Sequence, residues 1–237
     1  MFKEKILPLG VAAALVGVII FLATRGGGHD GLRIASSNDA AGTAVALAAG
    51  QDRHTTAVAL ADCCGAQAEI ALEAGVFDMA VICPDAALVF LQTSDSFVLW
   101  GGVAQNANVL ASMTDAAPTR VGYTLGRTSQ REAAQALLGY YVEFIPMNTI
   151  SLPYALARGA VDAAVLDVLA VINADTELFV TPLQTGRPSS VLIVHKDIID
   201  TEYFNNFIQN FNDLIDRGEF NRWEKFYVNF LSLPEER

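Results

Sequence analysis

Hydrophobic positions fall into two regimes along the chain. From Ile6 to Thr24 nineteen consecutive residues carry no charge, enough at ~1.5 Å per residue to cross a ~30 Å hydrocarbon layer. Beyond the Gly26-Gly27-Gly28 spacer, apolar runs of four to six residues alternate with alanine-rich stretches closed by glycine. Strands are expected at Leu32–Ser36, Thr55–Leu60, Asp78–Cys83 and Phe97–Trp100, with helices over 42–49 and 66–74 and a helical turn opened by Pro84-Asp85. Pro118 marks a break. A second series then predicts strands at Thr119–Tyr123, Val142–Ile145, Ala163–Leu166 and Val191–Val194, with helices over 130–139 and 152–158. The tail, Thr201–Phe230, reads as helical, with Phe204, Phe207, Phe211 and Leu214 at the spacing of one packed face.

Strand, helix and strand joined by short links imply parallel sheets covered on both faces. The expected organisation is therefore α/β and two-lobed. A membrane anchor over 1–25 and a spacer over 26–31 precede a first lobe over 32–117. A second lobe spans 118–187, and residues 188–237 return to the first. Ligands of such sheets bind where the carboxyl ends of strands meet loops and helix N-termini.

Composition narrows the function. The 237 residues are 52% hydrophobic and 17% charged, with a net charge of -11, which excludes a disordered chain. Such acidity excludes a nucleic-acid partner, since phosphate neutralisation needs a basic surface. Residues 1–25 carry a net +2, leaving -13 on the remainder, so that remainder is repelled by anionic lipid heads and is tethered to the membrane through residues 6–24. Lys3 and Lys5 ahead of the apolar run orient the globular part to the extracytoplasmic side. A cleaved signal peptide is the competing reading; no small-x-small site surrounds Leu22-Ala23-Thr24-Arg25, and no lipoprotein cysteine follows.

Three stretches carry a family likeness. Cys64-Gly65 leads to Ala71-Leu72-Glu73-Ala74-Gly75-Val76-Phe77-Asp78; Val121-Gly122-Tyr123 leads to Ser129-Gln130; and Tyr154 to Val165 reads YALARGAVDAAV. In this order and spacing they resemble the type II periplasmic solute-binding proteins over roughly residues 31–233. The resemblance implies a type II periplasmic-binding-protein-like fold that captures a small solute between two lobes and delivers it to the permease of an ABC importer. It implies no enzymatic activity. First-lobe contacts are expected after strands one to three, and second-lobe contacts at the helix beginning near Thr128.

The cysteines suggest what the solute is. Cys63 and Cys64 follow the second strand and Cys83 the third, so if those strands end side by side the three sulfurs share one edge. A helix N-terminus favours thiolate, and three converging thiolates suit a soft cation such as zinc, monovalent copper or an organometal. Buried free cysteines and a disulfide to Cys83 are the alternatives. The pattern also resembles SaoB, a group of anaerobe solute-binding proteins in which one cysteine position can be selenocysteine; this resemblance implies an organometal solute.

Other candidate contacts are Ser36, Ser37 and Asn38 after the first strand, as donors or helix caps, and Thr128 and Ser129, with Arg127 beside them, as an anion site at a helix start. Met147 offers a thioether or fills an apolar gap. Asp167 ends its strand as a contact or a cap. An organic anion such as a sulfonate or pyrimidine is thus the alternative solute. A thiol enzyme with Cys64 as nucleophile lacks a placed base: His29 lies in the spacer, His54 precedes its strand at the far end, and His195 sits beside Lys196-Asp197. No resident cofactor is expected.

Overall fold

The structure, a computed structural model, describes residues 31–60, 66–221, 223 and 228–235. The apolar run Ile6–Thr24, and Cys63 and Cys64, lie outside the described residues. Among those described, no helix is long and apolar enough to cross a membrane.

Two sheets organise the chain. The first takes β1 (Leu32–Ser37), β2 (Thr55–Leu60), β3 (Met79–Ile82), β4 (Phe97–Gln105), β10 (Pro188–His195) and β11 (Asn229–Phe230) in the order β11-β4-β10-β3-β1-β2. The second takes β5 (Asn108–Ser112), β6 (Arg120–Thr124), β7 (Glu143–Met147), β8 (Ala163–Asp167) and β9 (Phe179–Pro182) in the order β7-β6-β8-β5-β9. Helices α1 (Ala40–Ala49), α2 (Ala66–Glu73), α3 (Pro84–Thr93) and α7 (Glu202–Asp216) belong to the first unit. Helices α4 (Thr128–Leu138), α5 (Leu152–Ala157) and α6 (Val168–Ile172) belong to the second.

The period-two pattern explains why both faces are covered. Met79, Val81, Leu192 and Val194 point into one core with the alanines of α1 and with Phe204, Phe207 and Phe211 of α7. Their neighbours Ala80, Ile82, Val191 and Ile193 point into another with Leu72 and Phe90. Helix α1 lies so close to β1 that a Cβ on Gly42 would stand 1.7 Å from the Ser37 carbonyl oxygen. Glycine and alanine there are a packing requirement.

Several expectations are corrected. The sheets are mixed, since β10 runs antiparallel to β3 and β4, and β5 antiparallel to β8 and β9. Because β5 pairs with β8, the chain enters the second sheet at Asn106-Ala107 and not at Pro118. Asn106 has φ 59, a left-handed conformation that asparagine tolerates, and makes the bend between β4 and β5. The second crossing runs from β9 to β10. The long helix of the tail, α7, ends at Asp216, and Asn229 and Phe230 pair with β4.

One clip occurs in both units. Arg33 of β1 donates its backbone N–H (2.8 Å) and guanidinium (3.1 Å) to Asp78, and Nη2 to the Gly75 carbonyl at 2.9 Å. Arg120 of β6 does the same to Asp162 (2.9 and 3.1 Å) and to the Gly159 carbonyl at 3.1 Å. Gly75 and Gly159 have φ +65 and +68, the left-handed turn that glycine adopts without a Cβ penalty. Each clip ties a helix end to two parallel strands. The Thr119 hydroxyl, then the Thr119 and Arg120 N–H groups, hold the Asp162 carboxyl well below the usual carboxylate range.

Candidate functional site

The carboxyl ends of β1, β2, β6 and β8 face one another across a cavity of about 130 Å³. The first unit lines it with Ser37, Asn38, Asp39 and Leu60. The second contributes Thr124, Arg127, Gln130, Ile150 and Leu166, with Asp167 among its polar groups.

Local sequence explains each polar group. Asp39 is the N-cap of α1, its Oδ1 accepting from Gly42 N at 2.8 Å. Asp167 is the N-cap of α6, its Oδ1 accepting from Leu169 N at 2.8 Å. The same oxygen also accepts from Ala40 N at 3.1 Å, across the cleft at the start of α1. Gln130 is buried and oriented at both ends: its Oε1 accepts from Thr124 N and its Nε2 donates to Asn108 Oδ1, each at 3.0 Å. Burial first, then the neighbouring Asp39 charge, pushes the Asp167 carboxyl up to about 8 against the N–H bonds from Leu169 and Ala40 and the Arg127 guanidinium.

A second bridge closes the rim. Ser129, in the first turn of α4, donates Oγ (2.6 Å) and N–H (3.2 Å) to Asp85 Oδ2, in the first turn of α3. Among the described residues, the Ala40–Asp167 and Ser129–Asp85 hydrogen bonds thus bridge the two sheets in a closed arrangement.

The structure brings Ser37, Asn38, Arg127 and Asp167 together at the cavity. Ser36 and Ser37 are buried as the last residues of β1, and neither caps α1; Asp39 does. Thr128 and Ser129 do not cap α4 either: the N-cap is Arg127, without a side-chain cap, and the Ser129 N–H is met by Asp85 from the other unit. The expected anion position therefore already holds a carboxylate. Met147 packs with the apolar cluster that includes Leu152 and Leu166, and does not itself line the cavity.

Cys83 follows β3 as the N-cap of α3, is 4% exposed, and accepts a long bond from Ala86 N at 3.5 Å. β1 lies between β2 and β3, so the ends of those two strands stand about two strand spacings, ~10 Å, apart, not side by side as expected. Among the described residues no group of three His, Cys, Asp or Glu side chains is placed to hold a metal ion. His54 precedes β2 and packs on Tyr203, and His195 ends β10 edge-on to Phe97.

Asp39, Asp85, Thr124 and Gln130 are site residues that spacing alone did not single out. Asp39 carried a usable signal, an Asp directly before an alanine-rich run and three residues ahead of Gly42. Gln130 carried none, since its role arises from strands β5 and β6.

No family model matches the sequence, and no curated protein matches it. Solved structures do match in fold. The alkanesulfonate-binding protein SsuA from Xanthomonas axonopodis pv. citri, bound to MOPS, is 14% identical over 83% of this chain and 78% of its own, with a TM-score of 0.61. The ligand-binding component of an ABC-type import system from Staphylococcus aureus, with zinc bound, is 12% identical over 85% of both chains, TM-score 0.63. Lipoprotein Tp32 from Treponema pallidum is 12% identical over 86% of this chain and 100% of its own, TM-score 0.69. The two-sheet α/β fold is the one this chain shares with these structures.

Proposed function

We propose that this chain is the extracytoplasmic solute-binding component of an ABC-type importer, tethered to the membrane through Ile6–Thr24 and handing a small solute to its permease. The observation that carries the reading is the cavity between the two sheets, lined from both sides at the carboxyl ends of strands and bridged by Ala40–Asp167 and Ser129–Asp85. Two chain crossings between the sheets permit hinge closure, and closure around a solute is how differential affinity for one state becomes capture. Neighbours in fold whose names state sulfonate binding and ABC-type import support the reading.

Native mass spectrometry of the full chain, purified from its own membranes, tests it. One small molecule per chain is expected, lost when Leu166→Trp fills the cavity. Absence of any bound or bindable solute overturns the reading.

A second reading makes the solute a soft metal or organometal held by Cys63, Cys64 and Cys83, in keeping with the likeness to SaoB. It has in its support Cys83 at the same sheet edge as the cavity and a zinc-bound neighbour in fold. It requires three reactive thiols in the unreduced chain and soft-metal binding abolished by C63S/C64S/C83S; metal binding that survives the triple variant contradicts it.

A further inference from the structure

The charged groups around the cleft are mostly acidic, with a guanidinium among them. Asp39 and Asp167 line the cavity with Arg127 as the cationic side chain beside them, and Asp85 closes the rim. Besides the Arg127 guanidinium, an anionic solute in such a cleft would draw on backbone N–H groups at helix starts. Here those donors are already used by the protein's own carboxylates: Gly42 N by Asp39, Ala40 N and Leu169 N by Asp167, Ser129 N and Oγ by Asp85. Thr124 N is taken by Gln130. Asp39 and Asp167 each accept through Oδ1 and make no hydrogen bond through Oδ2 among the described residues. Leu60, Ile150, Val165 and Leu166 supply an apolar wall.

We infer, on the basis of the solute-binding reading above, that the solute is a small cation with an ammonium group on an apolar body, and that the chain's own carboxylates exclude sulfonates and similar anions. Asp39 and Asp167 receive the ammonium, one from each sheet, so the cation favours the ionised pair and draws the sheets together. Asp85 acts as a specificity residue: it fills the α4 start that would otherwise accept an anion. With no three-ligand metal cluster among the described residues, two carboxylates suit ammonium hydrogen bonding better than metal coordination.

Amide NMR of the full chain, titrated into the millimolar range with propylammonium chloride, sodium propanesulfonate and zinc chloride in turn, tests this. Propylammonium is expected to shift amides of Asn38, Thr124 and Asp167, and propanesulfonate to leave them in place. D39N and D167N each keep a cap-forming oxygen and are expected to weaken propylammonium about tenfold; D85N is expected to admit propanesulfonate. The preference between the two organic ions, read within each variant, is independent of any loss of stability. Propanesulfonate binding the unaltered cleft as well as propylammonium overturns the inference and leaves solute binding standing, as does zinc shifting those amides while propylammonium does not. Silence of the cleft amides toward all three overturns the solute-binding reading itself, and the inference with it.

Discussion

Ser129 and Asp85 lie in different sheets, yet the serine hydroxyl donates to the carboxylate at 2.6 Å. With Ala40–Asp167 on the other side of the cavity, this bond holds the cleft closed by the protein's own groups. The Ser129–Asp85 pair is exposed, so its contribution to closure is modest, about 1 kcal/mol. Asp85→Ala is therefore expected to shift the open-to-closed ratio about fivefold toward open, seen as a larger radius of gyration in solution scattering. An unchanged radius contradicts the bridge.

Asp167 links stability to pH. Its carboxyl is pushed up to about 8 in the fold, whereas an unfolded aspartate ionises near 3.9. Between those values the folded state binds more protons than the unfolded one, so Asp167 lowers stability progressively as pH rises from about 4 to 8. Asp39 opposes its ionisation and Arg127 favours it. Asp167→Asn removes this dependence: thermal unfolding should show the variant gaining stability over the unaltered chain at pH 8 and losing that gain at pH 4. Equal differences at both pH values contradict the assignment.

The paired clips differ in burial. Asp78 is 6% exposed against 35% for Asp162. Removing a buried acceptor leaves the Arg33 N–H unmet and the guanidinium with the Gly75 carbonyl alone, so Asp78→Ala should cost about 3 kcal/mol. Asp162→Ala strips the same bonds where water replaces them and should cost less. Denaturant unfolding of the two variants checks the order, and the reverse order contradicts it.

Gly42→Ala tests the contact of α1 with β1. A methyl group 1.7 Å from the Ser37 oxygen cannot be accommodated without moving the helix or the strand end. The expected loss is about 3 kcal/mol, with the Asp39 cap and the adjoining cavity wall displaced. A variant as stable as the parent contradicts the packing described.

Most strands and helices were legible in the sequence because they are short, apolar and bounded by capping or glycine residues. Thr55–Leu60 and the helix ended by Gly75 fall where their residues indicate. What was not legible depends on pairing. β5 and β9 are short runs whose place is set by β8 and by each other, and β10 turns a parallel sheet into a mixed one without altering its own apolar pattern. In the site, Asp167 was visible as a residue ending a strand. Asp85 was visible only as a helix opener, since its bond to Ser129 joins residues 44 positions apart. The arrangement of β2 and β3 about β1 likewise follows from sheet order, and no spacing between Cys64 and Cys83 encodes it.

Solution scattering of Asp85→Ala, recorded with and without propylammonium, tests most directly whether the two sheets close on a solute. Hinge closure around bound cation should return the radius of gyration of the opened variant to that of the unaltered chain. A radius that stays expanded at saturating propylammonium, with the cation bound in the cleft, would contradict capture by closure.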